Sequence, residues 1–137
     1  MNISARCEYA CRAMAELALH HGDGAVITVQ ELANRRHIPE KYLVHILLQL
    51  KRAGLVASVR GAQGGYGLSE SPDRITLLQI VAAIDGPVLA PLPVDDGRCE
   101  EVKAVWARIA GGVQGLLEKI SLRQMAEFSG REPMYYI

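Results

Sequence analysis

Residues 28–69 constrain the fold more than any other stretch of the chain. "TVQE" (28–31) has the form of a capping box: the threonine side chain accepts from a free N–H of the first turn and the glutamate reaches back. The short helix it opens carries Leu32 and Ala33 and runs out near Arg36. Pro39 suits the first position of the next helix, where its missing N–H costs nothing. That helix sets Leu43, Ile46, Leu47 and Leu50 on one face and stops at Gly54. Two helices, a turn of three or four residues, and a second helix with its apolar face inward make a helix-turn-helix. Residues 55–60 then read as a short strand and 66–69 as its return.

Between those strands, "SVRGAQGGYGL" (58–68) places four glycines among eleven residues. A dinucleotide-binding loop needs G-x-G-x-x-G between a strand and a helix, whereas Gly64, Gly65 and Gly67 are spaced differently and lead into strand-like residues. A phosphate-cradling Walker loop needs Gly-Lys-Ser/Thr, which is absent. The glycines fit a hairpin tip, where they allow positive φ and close backbone approach. A helix-turn-helix followed by a two-stranded hairpin is a winged helix.

Around this unit lie further helices. Ala10, Ala13, Met14, Leu17 and Ala18 carry the i, i+3, i+4, i+7 spacing of an amphipathic helix, capped by Ser4 and ended by Gly22 and Gly24. "TLLQ" (76–79) is a second capping box, whose helix buries Leu77, Ile80, Val81 and Ile84 and halts at Gly86-Pro87. Pro87, Pro91 and Pro93 make residues 87–98 a loop rather than a helix. From Cys99 a long helix begins, with Val102, Trp106, Ile109, Val113, Leu116 and Ile120 spaced 4, 3, 4, 3, 4, a coiled-coil seam. Gly111, Gly112 and Gly115 each weaken an isolated helix by about 1 kcal/mol relative to alanine, which suggests another backbone packed close by. A last short helix runs from Ser121 to about Phe128 and leads into a tail ending "MYYI". The expected architecture is mainly α with a small β-hairpin: a winged helix-turn-helix DNA-binding domain over 1–86, a loop over 87–98, and a dimerisation helix with C-terminal tail over 99–137.

Charge points to a partner. The chain has 15 Lys/Arg and 15 Asp/Glu, yet residues 35–60 hold six basic residues (Arg35, Arg36, Lys41, Lys51, Arg52, Arg60) and one acid (Glu40), a local net of +5. A basic segment on a balanced chain is a local electrostatic footprint. No apolar run approaches the roughly 18 residues that span a bilayer. Glu8 and Arg12 fall where a signal peptide would be apolar, so no membrane association and a cytoplasmic location are expected. Three cysteines, Cys7, Cys11 and Cys99, suit a reducing compartment. Cys7 and Cys11 are not spaced as a thioredoxin-type motif, and no serine, histidine and acid grouping suggests a hydrolase, so an enzyme is not expected. His20, His21 and His37 lack metal-ligand spacing, and Glu16 with His20 is an i, i+4 pair of a kind common by chance.

"IPEKYLVHILLQLKRAGLVASVRGAQGGYGL" followed by "ITLLQIVAAIDGP" resembles the Rrf2 family of bacterial winged-helix transcription regulators, and the likeness runs over essentially the whole chain. The resemblance implies a homodimer, usually a repressor, that binds double-stranded operator DNA and senses iron–sulfur status, nitric oxide, redox state or cysteine supply. It implies that Arg60 and Gly61 enter the minor groove. With the wing and the basic segment, Lys41, Tyr42, Val44 and His45 are expected to face the major groove and Arg52 to lie by a phosphate. Ser58, Gln63 and Tyr66 are phosphate neighbours or wing packing. Family members commonly carry glutamate where Val44 stands; valine cannot accept from cytosine but can touch a thymine methyl. The seam from Val102 to Ile120 would form the dimer interface, with Trp106 in its packing.

The family's cluster-bearing members usually place three cysteines ahead of the long helix. Here that loop has only Cys99, and Val102 stands where a histidine ligand could sit. An iron–sulfur cluster needs about four ligands; Cys7, Glu8 and Cys11 of one subunit with Cys99 of the other would be the set. Three readings stay open: such a cluster, a redox-active Cys99, or no role for the cysteines. The rival of another class is an effector- or redox-binding protein that keeps the fold without reading an operator.

Overall fold

A computed structural model describes residues 2–128; the "MYYI" tail lies outside the described residues. Helix α1 (Ala5–Leu19) starts where the Ser4 hydroxyl accepts from the Cys7 N–H at 3.0 Å, and it buries Ala10, Ala13, Met14 and Leu17. A single 3-10 turn (His21–Asp23) closes on Gly24, whose φ of 65° is left-handed. Helix α2 (Val29–Arg36) is capped by Thr28, which accepts from the Glu31 N–H at 3.2 Å. The glutamate half of that box departs from expectation. The Glu31 carboxylate turns to Arg35 at 3.2 Å, where an i, i+4 ion pair competes with the reach back to the cap.

Pro39 precedes helix α3 (Glu40–Arg52) as its N-cap, one residue earlier than expected, because its carbonyl already accepts the first helical N–H of Leu43. Leu43, Ile46, Leu47 and Leu50 are all fully buried. Strands β1 (Val56–Val59) and β2 (Gly65–Leu68) pair antiparallel with Ser58 opposite Tyr66; β1 is shorter than the sequence suggests and β2 begins and ends one residue earlier. Ile27 pairs with the outer edge of β2 by two backbone bonds: its N–H donates to the Tyr66 carbonyl at 2.9 Å, and the Tyr66 N–H donates back at 2.8 Å. The hairpin is thus pinned to the segment entering α2.

Helix α4 (Leu77–Asp85) has the complete capping box, with Thr76 and Gln79 exchanging bonds of 2.9 and 3.2 Å. Ile80 and Val81 are buried there, while Leu77 and Ile84 are half-buried. Helix α5 (Glu100–Lys119) comes after the loop; it packs within the chain on α4, and none of its residues is buried. Ser121 and Gln124 form another capping box, carried in the sequence by "SLRQ", and open α6 (Leu122–Phe128). Helix α6 returns to α1 and sets Leu122 into the core shared by α1 to α4, so residues 122–128 pack on the first 86 residues.

One polar cluster sits within this packing. Glu16 on α1 is buried and accepts from Arg36 Nε at 2.9 Å and Arg35 Nη1 at 3.3 Å, with His20 Nε2 at 2.9 Å. The pair expected from chance spacing is therefore part of the joint between α1 and α2.

Candidate nucleic-acid interface

The apolar face of α3 fixes what its other face presents. With Leu43, Ile46, Leu47 and Leu50 in the core, Lys41, Val44, His45, Leu48 and Arg52 form the opposite stripe, and all five are exposed. Tyr42 flanks it, 48% exposed, with the Lys41 ammonium 5.2 Å from its ring centroid. Tyr42 is therefore not the buried packing residue that a purely structural role would make it. Nothing in the sequence singles out Leu48; its apolar type suggests core, and only the position opposite Leu50 reveals it as surface.

The hairpin stands beside this face and is braced to it. Lys51 Nζ on α3 donates to Ser58 Oγ on β1 at 2.7 Å. At the tip, Gly61 takes a φ of 110°, and its carbonyl accepts from the Gly64 N–H at 3.0 Å. This turn holds Arg60, Gly61 and Gln63 out in solvent. Tyr66 faces the other way, half-buried against the core, which favours packing over phosphate contact for its ring.

The basic segment divides. Arg35 and Arg36 are committed to Glu16, and Arg12 donates to the Arg36 and His37 carbonyls at 3.3 and 3.4 Å. Lys41, Arg52 and Arg60 make no ion pair among the described residues. They lie along α3 and at the hairpin tip, all exposed.

The cysteines sit apart in character. Cys7 is 1% exposed, Cys11 half-buried and Cys99 exposed. The Cys7 thiol is pushed well above the ordinary cysteine range, first by the hydrogen bond it shares with Cys11 and then by burial, and the same bond draws Cys11 down. Glu8 points to solvent and pairs with Arg12 at 2.5 Å. Cys7 thus faces the core while Glu8 faces water, so the set Cys7, Glu8 and Cys11 does not offer three ligands to one point. No three His, Cys, Asp or Glu side chains converge as a metal site among the described residues. The donors present do not fit an iron–sulfur cluster within one subunit. Cys99 precedes α5 with a left-handed φ of 54°.

Along α5, Val102, Trp106, Ile109, Leu116 and Ile120 are exposed, Val113 is half-buried, and Val105, which lies off the expected seam, is exposed as well. A Cβ added at Gly111, Gly112 or Gly115 would meet nothing within 4 Å in the single chain. The close backbone approach suggested by those glycines is therefore not made among the described residues.

Comparisons with known proteins converge. The profile of the Rrf2 family, described as iron-dependent transcriptional regulators, matches residues 3–127. The regulator CymR of Bacillus subtilis is 34% identical over 140 residues, covering 100% of both chains. Its solved structure, described as that of the global cysteine regulator of B. subtilis, superposes with a TM-score of 0.82 at 33% identity, covering 93% of this chain and 98% of that one. The structure of T. potens IscR gives a TM-score of 0.77 at 31% identity, covering 99% and 97%. These relatives are transcription regulators, not enzymes. No helix among the described residues is long and apolar enough to cross a membrane.

Proposed function

This chain belongs to the Rrf2 family of transcription regulators, and on that premise we propose that it acts as a homodimer on operator DNA, with α3 in the major groove and the hairpin tip in the adjacent minor groove. The observation that carries this reading is that Lys41, His45, Arg52 and Arg60 are all exposed, the first three on an α3 anchored by four buried side chains and braced through Lys51 and Ser58 to the hairpin that carries the fourth. Lys41, Tyr42, Val44 and His45, near the start of α3, reach base edges; Arg52 at its end, with Ser58, meets phosphate. Arg60 and Gly61 enter the minor groove. Two copies related by a two-fold axis read two half-sites about 34 Å apart or a multiple of it.

The dimer forms through the α5 face from Val102 to Ile120. The signal is sulfur or redox status: the relatives include a global cysteine regulator, and Cys99 is an exposed thiol. No step through a cluster is part of this reading, since Cys7 is buried while Glu8 of the same subunit faces water.

Duplexes selected from a random library, followed by titration at several salt concentrations, test it. Arg60→Ala should weaken the selected duplex by about 1–3 kcal/mol and relax preference at the bases it reads. Arg52→Ala should weaken every sequence alike and lower the salt slope by about one. Arg60→Ala binding like the parent would remove the hairpin tip from sequence reading.

A further inference from the structure

The outward stripe of α3 has an apolar ridge along one side. Leu48 lies directly opposite the buried Leu50 face and is 39% exposed; Val44, one turn earlier on the same side, is 42% exposed. Neither side chain can serve a phosphate, and neither can donate to or accept from a base. The hydrogen-bonding side chains that could replace them are few. Gln49 is the only amide on α3, and its Oε1 accepts from Arg6 on α1, which ties it to the body of the protein. Glu40, the only carboxylate on α3, stands in its first turn, off the ridge. Lys41, His45 and Arg52 flank the ridge with positive or polar groups suited to the rim of a groove in DNA.

We propose that Val44 and Leu48 read the C5-methyl groups of thymine, so that part of each half-site is specified by apolar contact and not by hydrogen bonds. The thymine methyl is the apolar feature that a base pair presents in the major groove. Cβ atoms one helical turn apart are about 5–6 Å from each other, close enough to bridge methyls on neighbouring base pairs, which rise about 3.4 Å per step. The flanking cations hold the ridge against the groove floor. This inference rests on the DNA-binding reading above.

The test replaces each thymine of the selected duplex by uracil, which removes only the C5-methyl and keeps every hydrogen-bonding edge. At one or two positions per half-site, binding should weaken about fourfold for each methyl removed, the scale of one buried methylene. Elsewhere uracil should be silent. Leu48→Ala and Val44→Ala, both surface changes, should bind the thymine and uracil duplexes alike at those positions, a coupling that a general loss of affinity would not produce. A protein that binds its selected duplex specifically but ignores every thymine-to-uracil change would overturn the methyl reading and leave DNA binding standing. Retention of the full uracil penalty in both variants would overturn it too. Failure to select any preferred duplex would overturn the DNA-binding reading and this inference with it. Because the uracil series alters only the DNA, it decides the question even if a variant folds poorly.

Discussion

At Glu16 two guanidiniums and an imidazole converge on one carboxylate that the fold has taken out of water. Burial is the strongest single influence and favours the neutral acid, but the bonds from His20, Arg36 and Arg35 together outweigh it and hold the carboxyl below its ordinary range. A folded-state pKa below the unfolded one contributes stability above the unfolded value, about 4.3 for glutamate, and that contribution is lost as pH falls through the folded value. Glu16→Gln should therefore destabilise the protein by about 2 kcal/mol at pH 7, through charge-assisted bonds lost to Arg35 and Arg36. The difference between parent and variant should shrink as pH drops below about 4. Urea unfolding midpoints measured across that range check both the size and the direction. A deficit that stays constant with pH would mean that the carboxylate's charge is not what holds α1 to α2.

The hairpin is an element whose position, more than its existence, depends on close approach. A Cβ at Gly65 would fall 2.5 Å from the Ile27 carbonyl oxygen, and one at Gly64 would fall 2.2 Å from the Val59 oxygen. Gly65→Ala must push β2 away from Ile27 and weaken the two bonds that pin it. About 2 kcal/mol of stability should be lost, at about 1 kcal/mol per net backbone bond. Affinity for the selected duplex should fall as well, because Arg60 moves with the hairpin. Thermal melting and DNA titration of the same variant separate the two effects. The elements themselves were legible in the sequence because their signals are local. Thr76 and Gln79 are three residues apart, Pro39 and Gly54 mark the ends of α3, and the glycines mark the turn. Their joints were not legible, because the partners are distant in the chain. Ser4 donates to Asp85 Oδ1 at 2.5 Å across 81 positions, Arg35 and Arg36 reach Glu16 from 19 and 20 positions away, and Leu122 packs on α1 from the far end. For the same reason the basic segment reads as six equivalent cations in the sequence, whereas the fold withdraws Arg35 and Arg36 from it. Leu48 was hidden by its residue type.

At the scale of the whole molecule, the described residues of one chain leave a large apolar face uncovered. Val102, Val105, Trp106, Ile109, Leu116 and Ile120 expose apolar surface along a helix with no buried residue, and a monomer seldom leaves so long an apolar face in water. In the proposed dimer, pairing two copies along α5 would cover this surface and join two α3 helices into one DNA-binding unit. The second half-site is then engaged at the high effective concentration of a tethered module, a gain on the order of 10²–10⁴ without new contacts. Ile109→Lys with Val113→Glu should give a monomer by sedimentation, near the 14.9 kDa of one chain, and should lose affinity for the full operator on that scale while binding a half-site as before. The glycines supply a second, sharper test, since one substitution has opposite expected signs in the two assembly states. With nothing within 4 Å of a Cβ at Gly112 in the single chain, Gly112→Ala in an isolated subunit should strengthen α5 by about 1 kcal/mol. If the partner's helix crosses at that point, the added methyl must hold the two backbones apart and weaken the dimer. Sedimentation equilibrium of Gly112→Ala should therefore show looser self-association. Association unchanged or tightened by the alanine would place the partner's backbone elsewhere on α5.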